Sequence, residues 1–171
     1  MRIAITGHTS GIGQALSDSF SKQHTIVGFS RENGFDIAKP EDRQRIIAET
    51  VKDCDVFINN AYSTDDRSAQ IHLLRDIFSQ WYSLSKVIIV NSSLFPLFAK
   101  WNKIEQNIED YRKSKQELCD ECERLYFQKD RICRVVNIKL GFVNTALTSK
   151  FNFPKFDPAC TVNYFEIASI D

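Results

Sequence analysis

The N-terminal run MRIAITGHTSGIG restricts this chain more than any other stretch. Ile3, Ala4, Ile5 and Thr6 form a short apolar run of the kind that makes a buried strand. Gly7, Gly11 and Gly13 follow at fixed spacing, and Gln14, Ala15 and Leu16 open a helical pattern. Strand, glycine turn and helix in that order make a phosphate site. The glycines let the backbone turn tightly and approach a ligand, and the helix N-terminus presents unpaired N–H groups to an anion. The spacing is Gly-x-x-x-Gly-x-Gly rather than Gly-x-Gly-x-x-Gly, and no Lys follows the last glycine, which excludes a Walker A loop. The bland alternative is a plain strand–turn–helix corner.

The rest of the chain repeats the alternation. Residues 11–22 predict an amphipathic helix with Ile12, Ala15, Leu16 and Phe20 on one side. TIVGFS, within residues 24–30, predicts a second strand. Too few residues separate Ser30 from Asp36 for a helical crossover, so residues 34–37 hold either a strand stub or a loop. Pro40 is well placed to open a helix that runs to Lys52. Residues 55–59 predict a strand, residues 63–66 a loop and helix cap, and residues 71–81 a helix. Residues 87–91 form the most hydrophobic strand. An aromatic-rich loop over 94–103, a long helix over 104–127 and a strand over 132–139 complete the series. Strands alternating with helices predict an α/β chain with a doubly wound parallel sheet and helices on both faces. Right-handed crossovers place ligands at the carboxyl ends of such strands. One domain is the natural organisation for 171 residues.

Charge narrows the function classes. Lys plus Arg number 22 and Asp plus Glu number 22, so no global field calls for nucleic acid or an anionic membrane. No run of 18 apolar residues occurs. Met1 leads straight into a strand without a basic region followed by an apolar one, which points to the cytoplasm. The five cysteines are therefore expected to be thiols. Cys119 and Cys122 form a lone C-x-x-C inside a helical pattern and read as packing residues, with no metal site expected.

The long helix contains Tyr111-Arg112-Lys113-Ser114-Lys115. Tyr111 and Lys115 are four apart and share a helix face. A phenol with an ammonium one turn away makes an acid/base pair, because the cation favours the phenolate and lowers the tyrosine pKa. Ser93, ending the neighbouring strand, is placed to hold a carbonyl or hydroxyl oxygen.

With these residues in order, the chain resembles the short-chain dehydrogenases/reductases over about residues 2–146. Thr6-Gly7-x-x-x-Gly11-Ile12-Gly13 is similar to the family's cofactor turn, and Asp36-Ile37 to its acidic–apolar pair beside the adenine. Asn59-Asn60-Ala61 resembles Asn-Asn-Ala-Gly with Tyr62 in place of glycine. Asn91-Ser92-Ser93 precedes Tyr111-x-x-x-Lys115 as the catalytic serine does. The segment from Val136 to Thr145 resembles the one that closes on the nicotinamide, with Leu140 replacing its usual proline.

The resemblance implies a Rossmann-type fold and hydride transfer between a nicotinamide and a small carbonyl or alcohol. It implies Tyr111 as general acid/base and Ser93, rather than Ser92, positioning the reacting oxygen. Lys115 would hold the nicotinamide ribose. Gly7, Thr9, Ser10, Gly11, Ile12 and Gly13 would face the phosphates. Asn60 and Ala61 would lie near the adenine-side ribose, and Val143 and Thr145 at the nicotinamide end. An NAD site usually carries an acid at the end of the second strand. Here Ser30-Arg31 stands there, and Arg31 can pair with a 2′-phosphate, so NADP(H) is expected over NAD(H). A homodimer through the helices over 71–82 and 111–127 is expected by the same analogy.

The departures are equally specific. The family often has a relay asparagine in the helix before the serine strand. No Asn lies between Thr64 and Val90, and Asp66 or Ser68 falls nearest that place. Residues 151–171 are fewer than the usual substrate-covering helices and final strand pair need. FNFPKF is expected to form a small lid and NYFEIASID an edge strand. The loop after Ser93 offers Phe95, Phe98 and Trp101 for a substrate wall, or for simple packing. These departures keep a second class open, a dinucleotide-binding regulatory or scaffold protein without turnover.

Overall fold

The computed structural model describes residues 1–98, 106–149, 152 and 154–170. Five parallel strands form one sheet, β1 (Arg2–Thr6), β2 (Thr25–Phe29), β3 (Val56–Asn59), β4 (Val87–Ser93) and β5 (Arg134–Leu140), in the order β2-β1-β3-β4-β5. Register pairs Ile5 with Gly28 and Ile58, Ile58 with Ile89, and Ile89 with Val136. The helices are α1 (Gly11–Phe20), α2 (Pro40–Asp53), α3 (Ala69–Trp81), α4 (Gln106–Tyr126) and α5 (Pro158–Ile170).

Alternation along the strands divides the core in two. Ile3, Ile5, Val56, Ile58 and Ile89 pack with Leu16 and Phe20 of α1 and Val162 and Phe165 of α5. Ala4, Phe57, Ile88 and Val90 point to the other face and meet α2, α3 and α4 through Ile46, Leu73, Leu74, Ile77, Trp81 and Leu118. A period of two thus sends successive side chains to opposite layers, and both layers are apolar because both are covered.

One open alternative is decided and one expectation changes. Residues 34–37 form a loop after a short 3₁₀ turn over Arg31–Asn33, so β2 is the edge of the sheet. The edge strand expected over NYFEIASID is instead part of α5. Asp157 starts that helix: its carboxylate accepts the Ala159 N–H at 2.8 Å, and Pro158 sits in the first turn, where its missing N–H costs nothing. Val162, Phe165 and Ala168 recur every three residues and seat the helix against α1 and the strands. Ahead of it, Phe156 bridges to Val143 in parallel, its N–H donating to the Phe142 carbonyl while its own carbonyl accepts from Asn144, both at 2.8 Å. Phe151 and Phe153 of the expected lid lie outside the described residues. Among the described residues no helix is long and apolar enough to cross a membrane.

Candidate functional site

The carboxyl ends of β1, β3 and β4 are tied by side chains. Thr6 Oγ1 accepts the N–H groups of Asn60 and Ala61, each at 3.0 Å. Asn60 Nδ2 donates to the Thr6 carbonyl at 3.0 Å, and Asn60 Oδ1 accepts from Asn91 Nδ2 at 2.8 Å. These bonds hold open a cavity of about 940 Å³ along the ends of the strands.

The glycine turn, after β1, lies between the β2 side and the end of β3. Gly7 and Gly11 adopt φ of +71° and +55°, the left-handed region that glycine enters freely. Ser10 caps α1 without a side-chain hydrogen bond, and no acid lies in the first turn. The N–H groups of that turn therefore remain for a ligand, and their partial positive charge suits an anion. Gly7, Thr9, Ser10, Gly11 and Ile12 line the cavity. Gly13 does not. It lies behind the turn, where a Cβ would fall 2.1 Å from the Gly7 carbonyl oxygen and 2.7 Å from Asn60 Nδ2. A glycine there is required by the close packing of α1 against the ends of β1 and β3.

At the β2 side the wall carries Ser30, Arg31, Asp36 and Ile37, followed by Asn60 and Ala61. Ser30 is buried, and its N–H and hydroxyl both donate to Asn33 Oδ1, at 2.7 and 3.2 Å. Arg31 is exposed and makes no ion pair among the described residues; Glu32 shares the wall. The Asp36 carboxylate accepts the Ala38 N–H at 3.0 Å. Arg43, nearly buried, donates to the Ile37 and Ala38 carbonyls and to Asp66, fastening this loop to the start of α3. Phe35 adds an unanticipated ring, packed on Phe29 and under the Arg45 guanidinium at 4.3 Å.

The β4 end holds Ser93, Tyr111 and Lys115; Val143 and Thr145 also line the cavity, and Thr145 lies against the glycine turn, its Cγ2 3.1 Å from where a Cβ on Gly11 would stand. The two serines diverge. Ser92 donates to Asn137 on β5, whereas Ser93 is hydrogen-bonded to Tyr111 and accepts the Phe95 N–H at 3.1 Å. The expectation that Lys115 lowers the Tyr111 pKa is overturned. Burial pushes the Tyr111 phenol up to about 12, and the Ser93 hydrogen bond offsets only part of that. Lys115 is also buried: its ammonium lies 5.7 Å from the Tyr111 ring centroid and donates to Gln70 Oε1 at 2.7 Å and the Asn91 carbonyl at 3.2 Å. Desolvation draws its pKa down to about 8.

Sequence reasoning missed two neighbours. Tyr62 packs edge-on against Tyr111, with centroids 5.0 Å apart, and is hydrogen-bonded to Ser114. Gln70 interrupts the apolar stripe of α3, and a polar residue at such a position was the available signal. Asp66 and Ser68, nearest in sequence to the place of the relay asparagine, serve the helix start, where the Asp66 carboxylate accepts the Ser68 N–H at 3.0 Å. Phe95 stands 6.3 Å from the Tyr111 ring and 6.2 Å from that of Phe142, which makes one aromatic wall. Trp101 and the Phe98 side chain lie outside the described residues. Cys119 and Cys122 are buried, and burial pushes the Cys122 thiol up to about 12, away from the thiolate form.

No protein-family model and no curated protein matches the sequence. Solved structures match its fold. The 3-ketoacyl-(acyl-carrier-protein) reductase from Brucella melitensis, complexed with NADH, superposes with a TM-score of 0.81 at 16% identity, over 99% of this chain and 90% of that one. A short chain dehydrogenase from Burkholderia cenocepacia in complex with NADP gives 0.78 at 17% identity, over 95% and 80%. A short-chain type dehydrogenase/reductase from Mycobacterium marinum gives 0.78 at 15%, over 98% and 88%. With its glycine turn after β1, its strand order and this likeness over nearly the whole length, the chain is built on the Rossmann-type fold of the short-chain dehydrogenases/reductases.

Proposed function

We propose that the protein is a nicotinamide-dependent oxidoreductase that interconverts a small carbonyl compound and its alcohol, with NADP(H) preferred over NAD(H). One observation carries this reading: a single cavity runs from Arg31 after β2, past the open N-terminus of α1, to Ser93, Tyr111 and Lys115. A dinucleotide fits it chemically. The uncapped helix end suits the pyrophosphate, and a neutral Ser30 followed by an unpaired guanidinium suits a 2′-phosphate better than a bare ribose. When bound, the reduced nicotinamide supplies the hydride.

The chain's own residues handle the oxygen and its proton. Ser93 Oγ donates a hydrogen bond to the carbonyl oxygen and fixes it beside Tyr111. As the carbon gains a hydride, the Tyr111 hydroxyl gives its proton to the oxygen that becomes the alcohol. A phenol held near pKa 12 remains protonated at neutral pH and so has a proton to give when the carbonyl is reduced. Lys115 has three N–H donors, of which two are engaged; the third serves a ribose hydroxyl. Tyr62 and Phe95 pack rings against Tyr111, and Phe142 packs on Phe95, which keeps the phenol in an apolar setting.

The test is calorimetric titration with NADPH and NADH, followed by a carbonyl screen with wild type and Tyr111→Phe. We expect dinucleotide binding by both, within about twofold, and turnover by the wild type alone. Absence of binding would refute the assignment. The lack of an asparagine between Thr64 and Val90 for a proton relay favours a second reading, a dinucleotide-binding regulator without turnover, and binding without turnover on any carbonyl would select it.

A further inference from the structure

Gln70 is out of place by composition. It lies in the buried stripe of α3 among Ala69, Leu73 and Leu74, and is 3% exposed. An amide there is costly unless its polar atoms are bonded. Its Oε1 accepts from Lys115 Nζ at 2.7 Å, and its Nε2 donates to the Asn59 carbonyl at 3.1 Å. Its backbone carbonyl accepts from Asn59 Nδ2 at 2.8 Å. The amide has one orientation open to it, because an ammonium only donates and a carbonyl only accepts.

We propose that Gln70 is the positioning residue for Lys115, bracing its ammonium against the ends of β3 and β4 with a neutral partner so that one N–H stays directed to the cofactor. The catalytic consequence rests on the dinucleotide reading above. The groups facing Lys115 are Tyr111, Cys119 and Cys122 from α4, Tyr62 from the loop before α3, Gln70 itself and the Asn91 carbonyl of β4. None is a carboxylate. A carboxylate would lock the lysine in its charged form, whereas the amide orients it and leaves its titration within reach of working pH.

Two variants separate holding from bracing. Gln70→Met keeps the volume and removes both side-chain bonds. Gln70→Glu keeps an oxygen on the lysine and loses the donor to Asn59. The first readout needs no cofactor: urea unfolding in a double-mutant cycle with Lys115→Met at pH 7. Gln70→Met should lower the folding constant about tenfold more with Lys115 present than in the Lys115→Met background, as expected for a hydrogen bond to a charged group. Equal losses would overturn the proposal. The second readout is NADPH affinity between pH 7 and 10. Its midpoint should move up by about one pH unit in Gln70→Glu and down by about as much in Gln70→Met. Losses in the same direction would mean that Gln70 is only a structural brace, and would overturn it. If Gln70→Met does not fold, the Gln70→Glu midpoint decides alone: upward supports, unchanged refutes. A wild type that binds no dinucleotide at any pH refutes the proposed function, while the unfolding cycle still decides whether Gln70 holds Lys115.

Discussion

Replacing Lys115 with methionine should flatten the dependence of stability on pH. The folded-state pKa of Lys115 is drawn down to about 8 by desolvation, against an ordinary value of 10.5. At about 1.4 kcal/mol per pH unit, that gap is worth roughly 3 kcal/mol. The sign follows from proton counts. Below pH 8 the lysine is charged in both the folded and unfolded chain, and the folded form bears the whole cost of burying the charge. Between about 8 and 10.5 the unfolded chain binds more protons than the folded one, so stability rises with pH. Tyr111, Cys122 and Cys133, pushed up to about 12, 12 and 11, oppose this because the folded chain keeps their protons longer. Those groups are common to both proteins and largely cancel in the difference. Lys115→Met also loses the bonds to Gln70 and Asn91. That loss is nearly independent of pH, so the slope is the quantity to read. Urea unfolding followed by circular dichroism at pH 7 and pH 10 should show the wild type gaining about 2–3 kcal/mol over Lys115→Met across the interval. A difference constant within about 0.5 kcal/mol would refute the reasoning, and with it the depth assigned to the ammonium.

Other outcomes follow from the same geometry. Arg31→Ala should weaken NADPH about 10- to 100-fold, the range for a hydrogen bond to a charged group, and leave NADH nearly unchanged; equal losses by calorimetry would remove Arg31 from the 2′-phosphate. Gly13→Ala should abolish dinucleotide binding or folding, because its Cβ would meet backbone at 2.1 Å; a folded, binding variant would contradict the packing at β1. Phe165→Ala should cost about 3–5 kcal/mol in urea unfolding, as expected for a fully buried ring, and a cost near zero would mean that α5 does not dock.

The strands were legible because β1, β3 and β4 are buried on both faces and read as continuous apolar runs, and the glycine turn marked where they lead. The C-terminal helix was not. NYFEIASID carries aromatic and β-branched residues whose local preference is extended, and the helix is decided by Asp157 and Pro158 at its start and by the α1 surface that receives Phe165. At the site, residue types and spacing identified Ser93, Tyr111 and Lys115. Their electrostatics depend on depth, which spacing does not carry: four residues apart on a helix face, the phenol and the ammonium are both desolvated, and burial dominates the shift of each. Gln70 escaped because a polar residue in an apolar stripe resembles a break until its partner across the sheet end is seen.

β2 ends the sheet, and its outer peptide groups meet no further strand among the described residues. A row of that kind is a template for any extended chain that arrives. The strand is only five residues long, and the turn after it brings Asn33 Nδ2 back onto the Gly28 carbonyl at 2.8 Å, blocking one acceptor. Edge-to-edge pairing of copies is thus opposed beside Arg31 by a turn that already occupies the Gly28 acceptor.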